Sequence, residues 1–255
     1  MGKINTVIFD WAGTTVDYGC FAPVQAFVEV FRSFGMDPTM EETRKPMGML
    51  KIDHIRTMLS MERIRNQFKE QHGRDYTEED VHAMYGMFEE KLFGILHQFT
   101  DVKPGVCETV KALREKGIKI GSTTGYTDEM MKIVTQGAKE HGYEPDTWIS
   151  PDSVGGKGRP YPYMIYENMR QLDVVSANQV MKVGDTISDI KEGKNAGIFT
   201  VGVVEGSSEL GLSREEFEAL SEEEKRKVKE CVRKKFFDAG ADDVIDTIDE
   251  LLDLL

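Results

Sequence analysis

The chain has 255 residues and a formal net charge of −13, a balance that argues against a nucleic-acid or anionic-membrane partner. Its apolar runs fall short of the roughly 20 residues of a spanning helix, and its first residues lack the basic and apolar segments of a secretion signal. Cys20, Cys107 and Cys231 are far apart and odd in number, which fits reduced thiols in a cytoplasmic protein better than a disulfide framework or a zinc site.

Val7, Ile8 and Phe9 open the chain with an apolar run, the pattern of a strand buried on both faces of a parallel sheet. Asp10 ends it. Gly13, Thr14 and Thr15 then give a turn with free N–H groups and hydroxyls, suited to an anion. From about residue 20 to 99 the pattern is helical. Phe27, Val30, Phe31 and Phe34 recur at helical spacing over 22–34, and Gly35 stops that helix. Another pattern runs over 52–68, broken near Ser60. Thr77 caps a third helix with acids in its first turn, and Met84, Met87, Phe88, Leu92 and Ile95 repeat along it as a core-packing stripe.

Beyond Thr100 strands and helices alternate. Helices are expected over 106–116, from a cap at Asp128 to about His141, and over 161–172. Strands are expected over 118–122, 148–150, 180–183 and 199–203. Ser213 and Ser221 each stand three residues before a Glu and begin capping boxes. The charged stretch 214–237 reads as a solvated pair of surface helices. An edge strand over 243–245 and an amphipathic helix over 248–255 complete the chain. The whole reads as an α/β fold, a doubly wound parallel sheet. The core comprises residues 1–19 and 100–255, with a helical cap domain, 20–99, inserted after the first strand.

The strand over 180–183 leads into Gly184, Asp185 and, four residues further, Asp189. With Asp10, these carboxylates can surround one hard cation such as Mg²⁺. The DxxGT pattern from Asp10 to Thr14, followed by GDxxxD through Gly184, Asp185 and Asp189, resembles the haloacid dehalogenase superfamily. That resemblance implies a Rossmann-type core, Mg²⁺-dependent phosphoryl transfer and Asp10 as the nucleophile. It implies that Asp10, Asp185 and the Ala12 carbonyl hold the metal, with Asp189 bound directly or through water. It also implies a phosphoryl-binding hydroxyl at Thr124, with Thr123 as the register alternative. The basic residue beside the nucleophile would be Arg159, with Lys157 as the alternative.

Ala12 departs from the superfamily pattern. Two residues after the nucleophile, its phosphatases carry an Asp that protonates the leaving oxygen. Loss of a general acid costs on the order of 10²–10⁴ in rate. A carbon leaving group would instead need an electron sink, which an aldehyde converted to an iminium by a lysine supplies. In Arg44–His54, RKPMGMLKIDH, a helix would put Met47, Lys51 and His54 on one face. Lys51 must be partly neutral to act as a nucleophile, so its pKa must fall from about 10.4. On this reading His54 moves a proton through water and Met47 packs against the reactive nitrogen.

The segments DWAGTTVDYGCF, RKPMGMLKIDH, STTGYT and GRPYP resemble the phosphonoacetaldehyde hydrolase family, over residues 6–209 or so. That resemblance implies hydrolysis of phosphonoacetaldehyde to acetaldehyde and phosphate, in the degradation of 2-aminoethylphosphonate. It implies Lys51 as the imine lysine, and Cys20, Gly48, Gly125 and Tyr126 around the substrate. It further implies one Mg²⁺ per subunit and a homodimer packed through the cap helices. Two other readings are a Mg²⁺-dependent phosphatase or phosphomutase acting on a small phosphate ester, which Ala12 opposes, and a non-catalytic phospho-ligand protein, which the intact acidic set opposes.

Overall fold

The computed structural model describes residues 3–255. Five strands, β1 (Thr6–Phe9), β2 (Lys119–Ser122), β3 (Val180–Gly184), β4 (Phe199–Val203) and β5 (Asp243–Ile245), lie parallel in the order β2-β1-β3-β4-β5. Every residue of β1 and β3 is buried, as the near-continuous apolar runs require of strands covered on both faces. Phe9 pairs with Ser122 on one side and Val183 on the other, so β1, β2 and β3 end level. From β1 the chain passes to β2 at one side and β3 at the other. This is the switch point beyond which open α/β sheets bind ligands.

The first five of the six α-helices between β1 and β2 are α1 (Phe21–Ser33), α2 (Met40–Arg44), α3 (Lys51–Ser60), α4 (Glu62–His72) and α5 (Glu78–Ile95). α1 and α3 both pack on α5. Phe27, Phe31, Met84, Phe88 and Leu92 are buried there, in one apolar cluster continuous with Phe9 and Val183 of the sheet. Met84, Phe88 and Leu92 of the stripe are therefore core, Met87 packs half-buried against them, and Ile95 lies outside the cluster. The remaining helices are α6 (Val106–Glu115), α7 (Asp128–Glu140), α8 (Tyr163–Gln171), α9 (Ile187–Ala196), α10 (Arg214–Glu218) and α11 (Glu222–Asp238). Thr77 caps α5 as expected, in a capping box with Asp80, and the capping boxes at Ser213 and Ser221 form as their spacing predicts.

Four local features differ from the sequence pattern. Residues 148–150 make one bridge, Ile149 to Thr123, and no strand. Pro151 follows them without a donor and Ser150 bonds Asp128, so pairing stops. The cap of α7 is Thr127, whose hydroxyl accepts from the Met130 N–H, and Asp128 is the first helical residue. The last segment, Ile248–Leu254, is a 3₁₀ helix. Its buried residues Ile248 and Leu251 stand three apart, one 3₁₀ turn. Helix α2 has no apolar periodicity, and its signal is the Thr39–Glu42 capping box.

β4 meets α11 at Gly202. A Cβ at Gly202 would lie 2.5 Å from the Phe236 ring. Gly202→Ala is therefore expected to cost about 1–3 kcal/mol by overpacking, read as a lower midpoint in urea unfolding. An unchanged midpoint would mean that α11 can shift freely on β4.

Candidate active site

The acidic end of the sheet is assembled by backbone geometry. The Asp10 N–H donates to the Val183 carbonyl at 2.9 Å, which fixes Asp10 between β1 and β3. The Trp11 carbonyl then accepts from the N–H groups of Thr14, Thr15 and Val16, and closes the turn. Gly13 takes φ +91°, and a Cβ there would fall 2.1 Å from Asp185 Oδ2, so glycine is required on both counts. Asp185 accepts from the Thr14 hydroxyl at 3.0 Å and from the Ser208 N–H at 2.7 Å. Asp189 lies in the first turn of α9, where its Oδ2 and the Thr186 hydroxyl form a capping box.

One oxygen from each of Asp10, Asp185 and Asp189 lies within 4.8 Å of the other two, and all three residues are buried. Burial, and then repulsion from Asp10 and Asp189, pushes the Asp185 carboxyl well above its ordinary range. Burial also disfavours charge on Asp189, but the cations Arg159 and Lys182 outweigh it and hold that pKa below normal. The crowding at Asp185 is what a cation would relieve, and hard carboxylate oxygens suit a divalent ion of the Mg²⁺ type. Asp189 already faces Arg159 at 3.1 Å and Lys182 at 2.9 Å, so it suits contact through water better than direct ligation.

Arg159 is buried and bonds Asp10 Oδ1 through one terminal nitrogen. Lys157, the alternative cation, is exposed and lies over the Tyr163 ring. Thr124 borders the cavity, with its hydroxyl accepting from the Tyr126 N–H at 3.0 Å. Thr123, its register alternative, is turned away: it donates to Glu192 and accepts from Lys182 and Arg159.

Facing this acidic end is the loop before α3. A tight cavity of about 20 Å³ is lined by Asp10, Ala12, Cys20, Met47, Gly48, Lys51, Thr124, Gly125, Tyr126, Arg159 and Thr186. The loop approaches the sheet closely because glycines line both sides. A Cβ at Gly48 would lie 2.4 Å from the Thr186 hydroxyl, and one at Gly125 would lie 2.9 Å from the Met49 carbonyl. Ser188 donates to the Met47 carbonyl at 3.0 Å. Lys51 is buried, with Nζ 5.0 Å from the centre of the Tyr126 ring. Burial lowers its pKa, with Arg159 acting in the same direction and Cys20, Asp10 and Asp185 opposing. Burial first, and neighbouring acids after it, drives the Cys20 thiol and Tyr126 phenol well above their usual values.

The shared helical face of Met47, Lys51 and His54 does not form. α3 starts at Lys51, because Pro46, Gly48 at φ +81° and an extended Leu50 interrupt any earlier turn. Met47 and Lys51 still meet at the cavity, through the loop. His54 does not border it. It stacks on Phe27 with ring centres 3.8 Å apart, and its Nε2 lies 2.8 Å from the Thr43 carbonyl. A carbonyl only accepts, so Nε2 carries the hydrogen. Burial, and then the charge of Lys51, holds the His54 pKa far below its ordinary value.

Three buried groups escape pattern reading. Lys182 lies within β3, Glu192 on α9, and Lys103 donates to the carbonyls of Gly13 and Glu205. Burial lowers the Lys103 pKa to about 8. The one signal in the sequence was Lys182 itself, since a lysine in a strand buried on both faces demands partners.

Residues 4–197 match the model of the haloacid dehalogenase-like hydrolases. The chain is 55% identical over 249 residues to a phosphonoacetaldehyde hydrolase of Lysinibacillus sphaericus, covering 98% of this chain and 93% of that one. It is 54% identical to a bifunctional phosphonoacetaldehyde hydrolase/aminoethylphosphonate transaminase of Clostridioides difficile, covering 99% of this chain and 40% of that one. The crystal structure of a phosphonoacetaldehyde hydrolase-like protein from Oleispira antarctica superimposes with a TM-score of 0.96 at 39% identity, over 99% of this chain and 91% of that one.

Crowding of the three carboxyls makes a cation test direct. Mg²⁺ at 100 times its dissociation constant is expected to stabilise the fold by about 2.7 kcal/mol, seen as a rise in Tm that EDTA reverses. Asp185→Ala is expected to abolish that rise. A wild-type Tm indifferent to Mg²⁺ would exclude the carboxyl cluster as its site.

Proposed function

The chain belongs to the phosphonoacetaldehyde hydrolases of the haloacid dehalogenase-like family, and from that membership we propose that it hydrolyses phosphonoacetaldehyde to acetaldehyde and phosphate through a Lys51 Schiff base and an Asp10 aspartyl-phosphate. The observation that carries this reading is the shared cavity: Lys51, Asp10 and Ala12 line one tight space of about 20 Å³. An amine of lowered pKa borders it together with a carboxylate, and alanine stands where an ester hydrolase would carry its acid.

The neutral Lys51 amine adds to the aldehyde carbon, and water leaves to give a protonated imine. The Asp10 carboxylate then attacks phosphorus. The P–C bond breaks, and its electron pair moves into the imine to give an enamine on Lys51. Protonation of the enamine carbon and addition of water release acetaldehyde and regenerate the amine. Water cleaves the aspartyl-phosphate, releasing phosphate and restoring Asp10. No alkoxide departs from phosphorus, so a general acid at residue 12 is not needed. Arg159 orients Asp10 and faces the phosphoryl oxygens, with Thr124 as a second donor. A divalent ion held by Asp10, Asp185 and the Ala12 carbonyl, with Asp189 through water, would neutralise phosphonate charge as the nucleophile approaches. His54 acts as a neutral packing group behind Lys51, and Met47, Cys20, Gly48, Gly125 and Tyr126 enclose the substrate.

Residues 20–99 would act as a cap, since Lys51 and Asp10 come from opposite walls and must meet on one substrate. The fused transaminase in the Clostridioides difficile relative supports a role in 2-aminoethylphosphonate degradation. A cytoplasmic homodimer joined through cap helices belongs to the same proposal.

Phosphate and acetaldehyde are expected in equal amounts from phosphonoacetaldehyde with Mg²⁺, beside a nearly silent phosphate-ester control. Borohydride added with substrate is expected to leave a mass adduct on Lys51. Lys51→Arg is expected to lose about 10³-fold or more in kcat, because a guanidinium forms no imine. Full turnover by that variant would sink the imine mechanism.

A further inference from the structure

Glu192 takes no part in the reaction above, yet it is wholly buried beside the groups that do. It follows Asp189 by three residues on α9, so both carboxyls face the same site. Its Oε2 accepts from Arg159 Nε at 3.0 Å and from the Thr123 hydroxyl at 2.9 Å. Oε1 has no hydrogen-bond partner among the described residues. A carboxyl group buried with one oxygen unsatisfied is a costly choice for a helix face that an apolar side chain could fill.

Neutralising Lys182 does not account for it. Lys182 has Asp189 at 2.9 Å and the Thr123 hydroxyl at 2.8 Å, and stands further from Glu192, at 3.5 Å. Glu192 instead grips Arg159 at Nε, behind the cavity. A guanidinium is a rigid planar fork, so holding Nε on one side sets the direction of both terminal nitrogens. One of them then reaches Asp10 Oδ1, Asp189 Oδ1 at 3.1 Å and the Thr123 carbonyl at 3.0 Å. The other points to the Gly48 carbonyl at 3.5 Å, in the loop that carries Met47 towards Lys51. Glu192 does not line the cavity, whereas Arg159 does.

We infer that Glu192 is a positioning residue for phosphoryl transfer, acting through the Nε of Arg159 to aim that guanidinium at the nucleophile and the phosphoryl group. The inference rests on Asp10 as the nucleophile and deepens that reading. Aim matters most as the phosphorus is attacked, so loss of Glu192 should be felt in kcat rather than in KM.

The test is a double-variant cycle, Glu192→Gln with Arg159→Lys, measured as kcat and KM for phosphonoacetaldehyde with Mg²⁺. Glu192→Gln is expected to lower kcat about 10–100-fold with KM changed less than about threefold. In the Arg159→Lys background, which has no Nε fork to aim, the same change is expected to cost less than about threefold more. Losses that multiply in the double variant, a kcat within about twofold of wild type, or an effect confined to KM would each overturn the inference. If Glu192→Gln fails to fold, Glu192→Asp decides. It keeps the carboxyl but withdraws it by one methylene, so it should show the same kcat loss and the same cycle. A wild type inactive on phosphonoacetaldehyde would instead remove the functional reading on which the inference rests.

Discussion

Buried charge is the constraint on which this site depends. Four carboxyl groups, of Asp10, Asp185, Asp189 and Glu192, converge at the ends of β1 and β3 and on α9, all buried. Arg159 and Lys182 face them as the two cations of the same network. Taking an ion out of water costs several kcal/mol even after relaxation, and neighbours must return that energy. Asp189 receives it from Arg159 and Lys182. Asp185 lies against Asp10 and Asp189, and its pKa rises. The imbalance is what a divalent ion would relieve, and the glycines at 13 and 184 let the carboxyls crowd so closely.

The opposite wall uses burial for a different purpose. Lys51 is desolvated between Tyr126 and the loop of Met47 and Gly48, and its pKa falls for that reason before any other. Dryness depends on contact across the cavity, which Gly48 and Gly125 permit and Ser188 secures. Opening the loop would rehydrate the amine and raise its pKa again. Loop contact and the Lys51 pKa are thus linked through one physical variable, the access of water to Nζ.

How much of this could be read from the sequence depended on whether the signal was local. Asp10 and Asp185 were legible because each ends an apolar strand, and strand ends in a parallel sheet share one edge. Thr124 and Arg159 were reached through motif context, and each stands nearer the cavity than its alternative. The face proposed for Met47, Lys51 and His54 assumed one helix, while proline, a glycine at positive φ and an extended leucine interrupt it. Two of the three residues met by way of the loop, and His54 was drawn into the apolar cluster instead. Glu192 was illegible because a lone glutamate on a charged helix reads as solvated, and only tertiary packing turns it inward. Residues 148–150 had strand composition, but strand formation is decided by a partner's free edge and by the proline that follows.

Arg159 joins the two walls. Its charge acts with burial to lower the Lys51 pKa, while the same guanidinium holds Asp10 in place. A lysine at that position would deliver a similar charge as a compact point, without the fork that reaches Asp10, Glu192 and the Gly48 carbonyl together. The geometry therefore asks for arginine on two grounds, electrostatic and directional, and the second needs a fixed acceptor behind the guanidinium. The unsatisfied carboxyl of Glu192 is then a local cost of stability that the aim of Arg159 explains, in a site where one misdirected donor would disturb both Asp10 and Lys51.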